Sequence, residues 1–143
     1  MHSERLLVRL ARLGWSRQLL LAEALAGIAV ATLAVRFLPF RRAVRLGSRR
    51  LDPATAVAAE ACGDAVWSVT AVAARVPWRA VCFQQGLALQ WMLRRRGIDA
   101  RLHYGVGQGD EGSLLAHVWV TVGDAILIGG DGAPGVRGVA VYP

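Results

Sequence analysis

A change of hydrophobic periodicity at Gly97 constrains the fold more than any other feature of this sequence. Before Gly97, apolar residues recur at the spacing of amphipathic helices. After it, apolar residues alternate with other residues in two segments, 102–106 and 116–122, which is the pattern of half-buried strands. The pattern predicts an α+β fold in which helices come first and a small antiparallel sheet follows.

Helix-breaking and helix-capping residues divide the N-terminal part. We expect residues 1–50 to form an apolar, Arg-rich helical segment with a break at Pro39. Residues 51–143 are expected to form a second structural unit. A new helix should begin at Asp52, a good N-cap residue, and end near Arg75. A third helix is expected from about Ala80 to Arg96, where Gly97 caps it.

The most apolar stretch covers residues 19–38, about the length that crosses a bilayer. Glu23 and Arg36 interrupt it, so only the 12 residues from Ala24 to Val35 form an uncharged run. That run is short for a membrane span and suits a buried or interfacial helix. Three alternatives stay open for residues 19–38: packing in the core, binding a partner, or peripheral association with a membrane.

Charge and cysteine content limit the classes of function. All 17 basic residues are Arg, the net charge is +7, and ten of the Arg precede residue 51. This positive net charge favours binding to an anionic membrane or to an acidic partner. The sequence holds no nucleic-acid recognition motif. The two cysteines make no disulfide framework, so we expect a cytoplasmic setting, with membrane association as an alternative. The three His stand far apart, so we expect no metal and no cofactor.

Cys82 is the candidate nucleophile because it opens the third predicted helix. Unpaired backbone N–H groups and the positive end of the helix dipole favour the thiolate there. On helix position alone, a free cysteine is more often a small buried side chain. Cys62 lies in the middle of an Ala-rich helix and is interpreted as a packing residue.

His117 is the candidate base, in the strand that covers residues 116–122. Trp119 is two residues further on and shares its face, where an aromatic ring would exclude water from a Cys–His pair. His103 falls out of phase with the apolar residues of its own strand, so we expect it on the solvent side.

Asp131 is the candidate for a third catalytic residue beside Cys82 and His117. It follows His117 by one strand and could orient the imidazole. A two-residue turn at Gly123 and Asp124 would turn Asp131 away from His117, whereas a three-residue turn or a bulge would pair them. Two alternatives stay open: Asp124 takes the role, or Cys82 and His117 act as a dyad with a backbone carbonyl or a water holding the imidazole.

Two stretches of the sequence, WRAVCFQQGLALQWMLRRRGIDARLHYGV and AHVWVTVGDAILIGG, resemble the transglutaminase-like leader peptidases of lasso-peptide biosynthesis. The shared features are a Cys that opens an amphipathic helix, an Arg-rich helix end before Gly, and a His-x-Trp strand. In the N-terminal half, residues 21–24 and 38–42 are similar to the helical leader segment of that family.

The resemblance implies a transglutaminase- or papain-like core and a cysteine peptidase that removes the leader from a ribosomally made precursor peptide. Cys82 would attack the scissile carbonyl, His117 would move the proton, and Asp131 would complete a Cys-His-Asp triad. It also implies a separate leader-binding protein and an ATP-dependent lasso cyclase as partners. The alternatives are a transglutaminase-type acyl transferase, and a non-catalytic helical protein that binds a membrane or a partner.

Overall fold

The computed structural model describes residues 2–46, 59–130 and 136–143. Five α-helices precede four β-strands along these residues. The helices are α1 (His2–Arg12), α2 (Trp15–Phe37), α3 (Phe40–Ala43), α4 (Ala59–Ala73) and α5 (Cys82–Arg95). The strands are β1 (Ala100–Gln108), β2 (Leu114–Val122), β3 (Ala125–Ile128) and β4 (Arg137–Tyr142). The α+β fold predicted from the sequence is confirmed.

The helix breaks lie where the sequence predicts them. Pro39 separates α2 from α3, because its ring prevents the preceding helix from continuing. Gly97 ends α5 with a φ of 77°, a left-handed conformation that glycine adopts without strain. The N–H of Ile98 then donates to the Leu93 carbonyl at 3.0 Å, which completes the cap. The predicted helix start at Asp52 lies outside the described residues.

Helix α5 is the centre of the core. One side of α5 packs on the sheet, where a Cβ at Gly86 would lie 2.9 Å from Leu102 and 3.0 Å from Val118. Its other side packs on α2 and α4, and a Cβ at Gly27 of α2 would lie 3.2 Å from Ala88. Glycines are therefore required where these backbones approach closely.

Two Arg side chains at the end of α5 form ion pairs that fix its neighbours, one in α2 and one in the turn into β1. The Arg96 guanidinium, just after α5, donates to the Glu23 carboxylate of α2 at 2.9 Å, and this hydrogen bond raises the pKa of Arg96. Arg94 is buried and bonds both Asp99 and the Ala100 carbonyl, which fixes the turn from α5 into β1. Helix α2 thus belongs to the same core as α5. The predicted boundary between two structural units at residue 50 stays a prediction.

The sheet is antiparallel throughout and has the order β3-β2-β1-β4. The β2–β3 hairpin turns through Gly123 and Asp124, since Val122 pairs with Ala125. A bulge then shifts the register by one residue, so that Val120 pairs with Ile128. Both registers considered from the sequence therefore occur in this hairpin, one on each side of the bulge.

Helix α2 has the length and mean hydropathy of a membrane-crossing helix, and among residues 2–46, 59–130 and 136–143 it alone does. It lies near the N-terminus, and 28% of its most apolar window is buried inside the protein. This composition is compatible with membrane association.

Candidate active site

Cys82 is the first residue of α5, as the sequence predicts. Val81 before it has an extended backbone, and no side chain among residues 2–46, 59–130 and 136–143 caps the helix N-terminus. The Gln85 side chain donates to the Ala80 carbonyl at 2.8 Å and so fixes the segment that leads into the helix. The first N–H groups of α5 therefore have no capping side chain in the described part of the chain and can bind a developing oxyanion.

Cys82 lies on the side of α5 that faces the sheet. Cys82 is one turn before Gly86, which packs directly on Leu102 and Val118. The residue is half-buried and packs against the hydrophobic core. The next residue, Phe83, stacks on Phe40 with ring centroids 5.4 Å apart, so the segment after α2 borders the start of α5.

The His117 imidazole is held by a backbone carbonyl. Its Nε2 lies 2.7 Å from the Gly129 carbonyl oxygen, just beyond β3. Because a carbonyl oxygen only accepts, Nε2 must donate the proton in this hydrogen bond. In the neutral ring Nδ1 is then the unprotonated nitrogen, which is the one that can accept a proton. This arrangement is one of the alternatives that the sequence left open.

Trp119 forms the middle of a stack of rings. Its indole lies 6.1 Å from the His117 ring and 5.3 Å from the His103 ring, nearly parallel to both. Gly105 leaves room for it, because a Cβ there would lie 2.9 Å from the indole. His103 lies on the face expected from the sequence, but Trp119 covers it and it is half-buried.

Strand alternation separates the imidazole from the helix. Val118 and Val120 point at α5, and His117 and Trp119 point to the opposite face of the sheet. Among the residues that the structure describes, no hydrogen bond joins Cys82 to His117. The catalytic pairing of these two residues stays a prediction.

Gly129 is a site residue that sequence reasoning did not single out. Its φ is 76°, and a Cβ at this position would overlap the Val118 carbonyl oxygen. A side chain there would push the chain away from His117 and break the hydrogen bond to its imidazole. The signal in the sequence is the Gly129-Gly130 pair directly after a short apolar strand.

The two candidate acids differ in position. Asp124 is exposed in the turn between β2 and β3, as expected of a turn residue. Asp131 lies outside the described residues, so its role in a triad stays a prediction.

Cys62 has the environment of a packing residue. It is 4% exposed on the buried side of α4, and burial raises the pKa of its thiol. A raised pKa keeps the group as the unreactive thiol.

The described part of the chain contains no group of three or more His, Cys, Asp or Glu side chains placed to hold a metal ion. A cavity of 1050 Å³ lies on the helical side of the molecule, lined by α1, α2, α4 and the segment after α4. Leu10, Leu21, Trp67 and Trp78 give it an apolar wall. It does not include Cys82 or His117.

His103 makes the stability of the fold depend on pH. Burial, together with the nearby Arg101 guanidinium, lowers the pKa of His103 from its ordinary value. As the pH falls below about 6.5, the unfolded chain binds a proton that the folded chain does not, so the free energy of unfolding decreases.

We expect the thermal midpoint of wild type to fall more than that of His103→Gln between about pH 7.5 and pH 5, the range in which an ordinary His titrates. The amide of Gln can still bond Thr121, which the His103 ring contacts at 2.8 Å. Equal changes in the two proteins, measured by circular dichroism, would contradict this assignment.

Comparison with known proteins identifies a family for most of the chain. Residues 24–141 match the profile of the Transglutaminase-like superfamily, and this range contains Cys82 and His117. Searches of curated proteins and of solved structures find no match. A transglutaminase-like domain indicates an activity of the cysteine-peptidase or acyltransferase kind.

Proposed function

Because the chain belongs to the transglutaminase-like superfamily, we propose that it is a cysteine peptidase that removes the leader from a ribosomally synthesised lasso-peptide precursor. The observation that carries this proposal is the position of Cys82 as the first residue of α5, at a helix N-terminus that no side chain of the described residues caps. The resemblance of the segments around Cys82 and His117 to the lasso leader peptidases supplies the substrate class.

In the proposed reaction, the Cys82 sulfur attacks the scissile carbonyl carbon and its proton passes to Nδ1 of His117. The Nε2–H group, which donates to the Gly129 carbonyl in the free chain, donates to the Asp131 carboxylate in the proposed triad, and this orients the ring. The N–H groups of the first turn of α5 stabilise the oxyanion. The proton then moves to the leaving amine, and water hydrolyses the thioester to release the acid and restore the thiol.

This reaction requires the imidazole to come within hydrogen-bond reach of the thiol in the peptide complex. Catalytic hydrogen bonds are often long in the free enzyme and shorten when substrate binds. Because His117 points away from α5 in the free chain, the proposal also requires β2 and the β2–β3 hairpin to rearrange on peptide binding, so that the imidazole reaches the α5 side of the sheet.

The proposed third member of the triad is Asp131. We expect Asp131→Asn to lower the cleavage rate by more than about tenfold, because a carboxylate stabilises the imidazolium better than an amide. Asp124→Asn is the matched control and should have little effect. The reverse result would transfer the role to Asp124, and two unaffected rates would mean that Cys82 and His117 act as a dyad held by Gly129.

The proposed partners are the precursor peptide, a separate leader-binding protein and the ATP-dependent lasso cyclase. A leader-binding protein would raise the cleavage rate by holding the substrate at a high effective concentration beside the peptidase. The measurement is the initial rate of cleavage with and without that protein. Equal rates would count against this partnership.

The product distinguishes the proposed peptidase from an acyl transferase. The purified chain is incubated with a lasso precursor, its leader-binding protein and a primary amine, and the products are weighed by mass spectrometry. Hydrolysis gives leader and core fragments, together larger than the precursor by the mass of one water. A product linked to the amine would favour acyl transfer instead.

The non-catalytic alternative is tested by thiol reactivity. A peptidase should have one thiol that reacts with an iodoacetamide probe at mildly acid pH. Labelling of Cys82 well above that of a model thiol supports the enzyme, whereas background labelling supports a binding protein.

A further inference from the structure

The residues of α2 are distributed in an unusual way, with small side chains towards the core and large ones towards solvent. The buried side consists of Ala24, Gly27, Ile28, Ala31 and Ala34. The opposite side, which we call the outer stripe, consists of Trp15, Leu19, Val30, Leu33 and Phe37, with Ala22 and Ala26 between them. Trp15 and Phe37, at the two ends, are 75% and 72% exposed.

The outer stripe is continuous and uncharged. Its members follow one another at intervals of three or four residues, so they lie in one row along the helix. The row is about 33 Å long at the rise of an α-helix. A surface helix normally presents polar residues to solvent. Leu33, at 57% exposed, lies in the middle of a face that has the chemistry of a binding surface.

Exposed arginines lie on the helices that precede and follow α2, beyond the two ends of the outer stripe. Arg5, Arg9 and Arg12 follow one side of α1, which Gln18 holds against the start of α2 by donating to the Leu10 carbonyl at 2.9 Å. At the other end of α2, Arg41 and Arg42 are exposed on α3. Glu23, the carboxylate of α2, is bonded to Arg96 and does not balance this charge.

We propose that the outer stripe docks on an anionic lipid surface, with α2 parallel to the membrane plane. An uncharged row with aromatic ends and flanking Arg matches the apolar boundary and the anionic headgroups of such a surface. A second copy of the chain fits less well, because it would bring two sets of these arginines together. The inference concerns a different surface from the proposed peptidase site and does not depend on it.

A membrane-spanning orientation of α2 is disfavoured by its inner side. Gly27 packs within van der Waals contact of Ala88, and Glu23 bonds Arg96. Spanning would remove α2 from α5 and leave the Glu23 carboxylate in hydrocarbon without its partner. Docking in the plane keeps these contacts and buries only the outer stripe.

The test is co-sedimentation of the purified chain with vesicles of phosphatidylcholine, with and without phosphatidylglycerol, at low and high salt. We expect binding to the phosphatidylglycerol vesicles that weakens with salt. Leu33→Asp should lower the partition coefficient by about tenfold or more. Val139→Asp, on β4, is the matched control, because Val139 is 60% exposed but lies outside the stripe. It should bind as wild type does.

Circular dichroism of both variants checks that they are folded. Equal binding to neutral and anionic vesicles would overturn the assignment of an anionic surface. Absence of binding, or equal loss in the two variants, would overturn the docking site. Self-association of wild type without lipid, lost in Leu33→Asp alone, would also overturn it and assign the stripe to a second copy of the chain.

Discussion

Replacement of Cys82 by Ala is expected to abolish precursor cleavage, with a fall in rate of at least about 1,000-fold. The methyl group cannot form the thioester, so the covalent route through Cys82 is lost completely. The fold should persist, because Cys82 is only half-buried and the helix start keeps its backbone conformation. The measurement is single-turnover cleavage followed by mass spectrometry, with the thermal midpoint as the check on folding.

Cys62→Ala is the matched control for this substitution. Cys62 is buried and its pKa is raised by burial, so it is not a nucleophile, and its loss should leave most of the activity. It should instead lower stability, because a buried sulfur is removed from the core. Full cleavage by Cys82→Ala would refute the cysteine-peptidase proposal.

The second large effect is expected at His117, where replacement by Ala should lower kcat/KM by about 1,000-fold. The variant loses the nitrogen that accepts the thiol proton, and it loses the hydrogen bond to the Gly129 carbonyl. Because general-base assistance is needed at each turnover, raising the concentration of the precursor should not restore the rate. The measurement is steady-state cleavage over a range of precursor concentrations.

His103→Ala provides the control for loss of ring stacking. Both imidazoles stack on Trp119 and both lie on the same face of the sheet, so each variant removes one ring contact. Only His117 has the proposed proton-transfer role. A similar loss of activity in both variants would show that His117 acts through the packing of Trp119 rather than as a base.

Much of the candidate site follows from local sequence. A residue that opens a helix is recognised from the Pro77 break before it and the apolar spacing after it, and this predicted the position of Cys82. The shared face of His117 and Trp119 follows from the two-residue period of a strand. These signals are short-range, since each depends on neighbours within five residues along the chain.

The partner of His117 could not be predicted in the same way. The hydrogen bond to Gly129 depends on a bulge in the β2–β3 pair, which shifts the register after a two-residue turn. A bulge is set by the packing of both strands, and alternation alone does not locate it. Sequence therefore left a choice between two registers, and the folded hairpin contains both.

The sequence by itself determined the order of helices and strands, the breaks at Pro39 and Gly97, and the placement of Cys82 at a helix start. These features depend on backbone conformations that Pro, Gly and hydrophobic periodicity favour locally. Only the tertiary structure decided which side of α2 faces the core. Close approach of α2 to α5 requires small residues such as Gly27 and Ala88 at the contact, and this turns Leu33 and Phe37 outward. The same packing brings Glu23 to Arg96, a pairing between residues far apart in the chain that only folding creates.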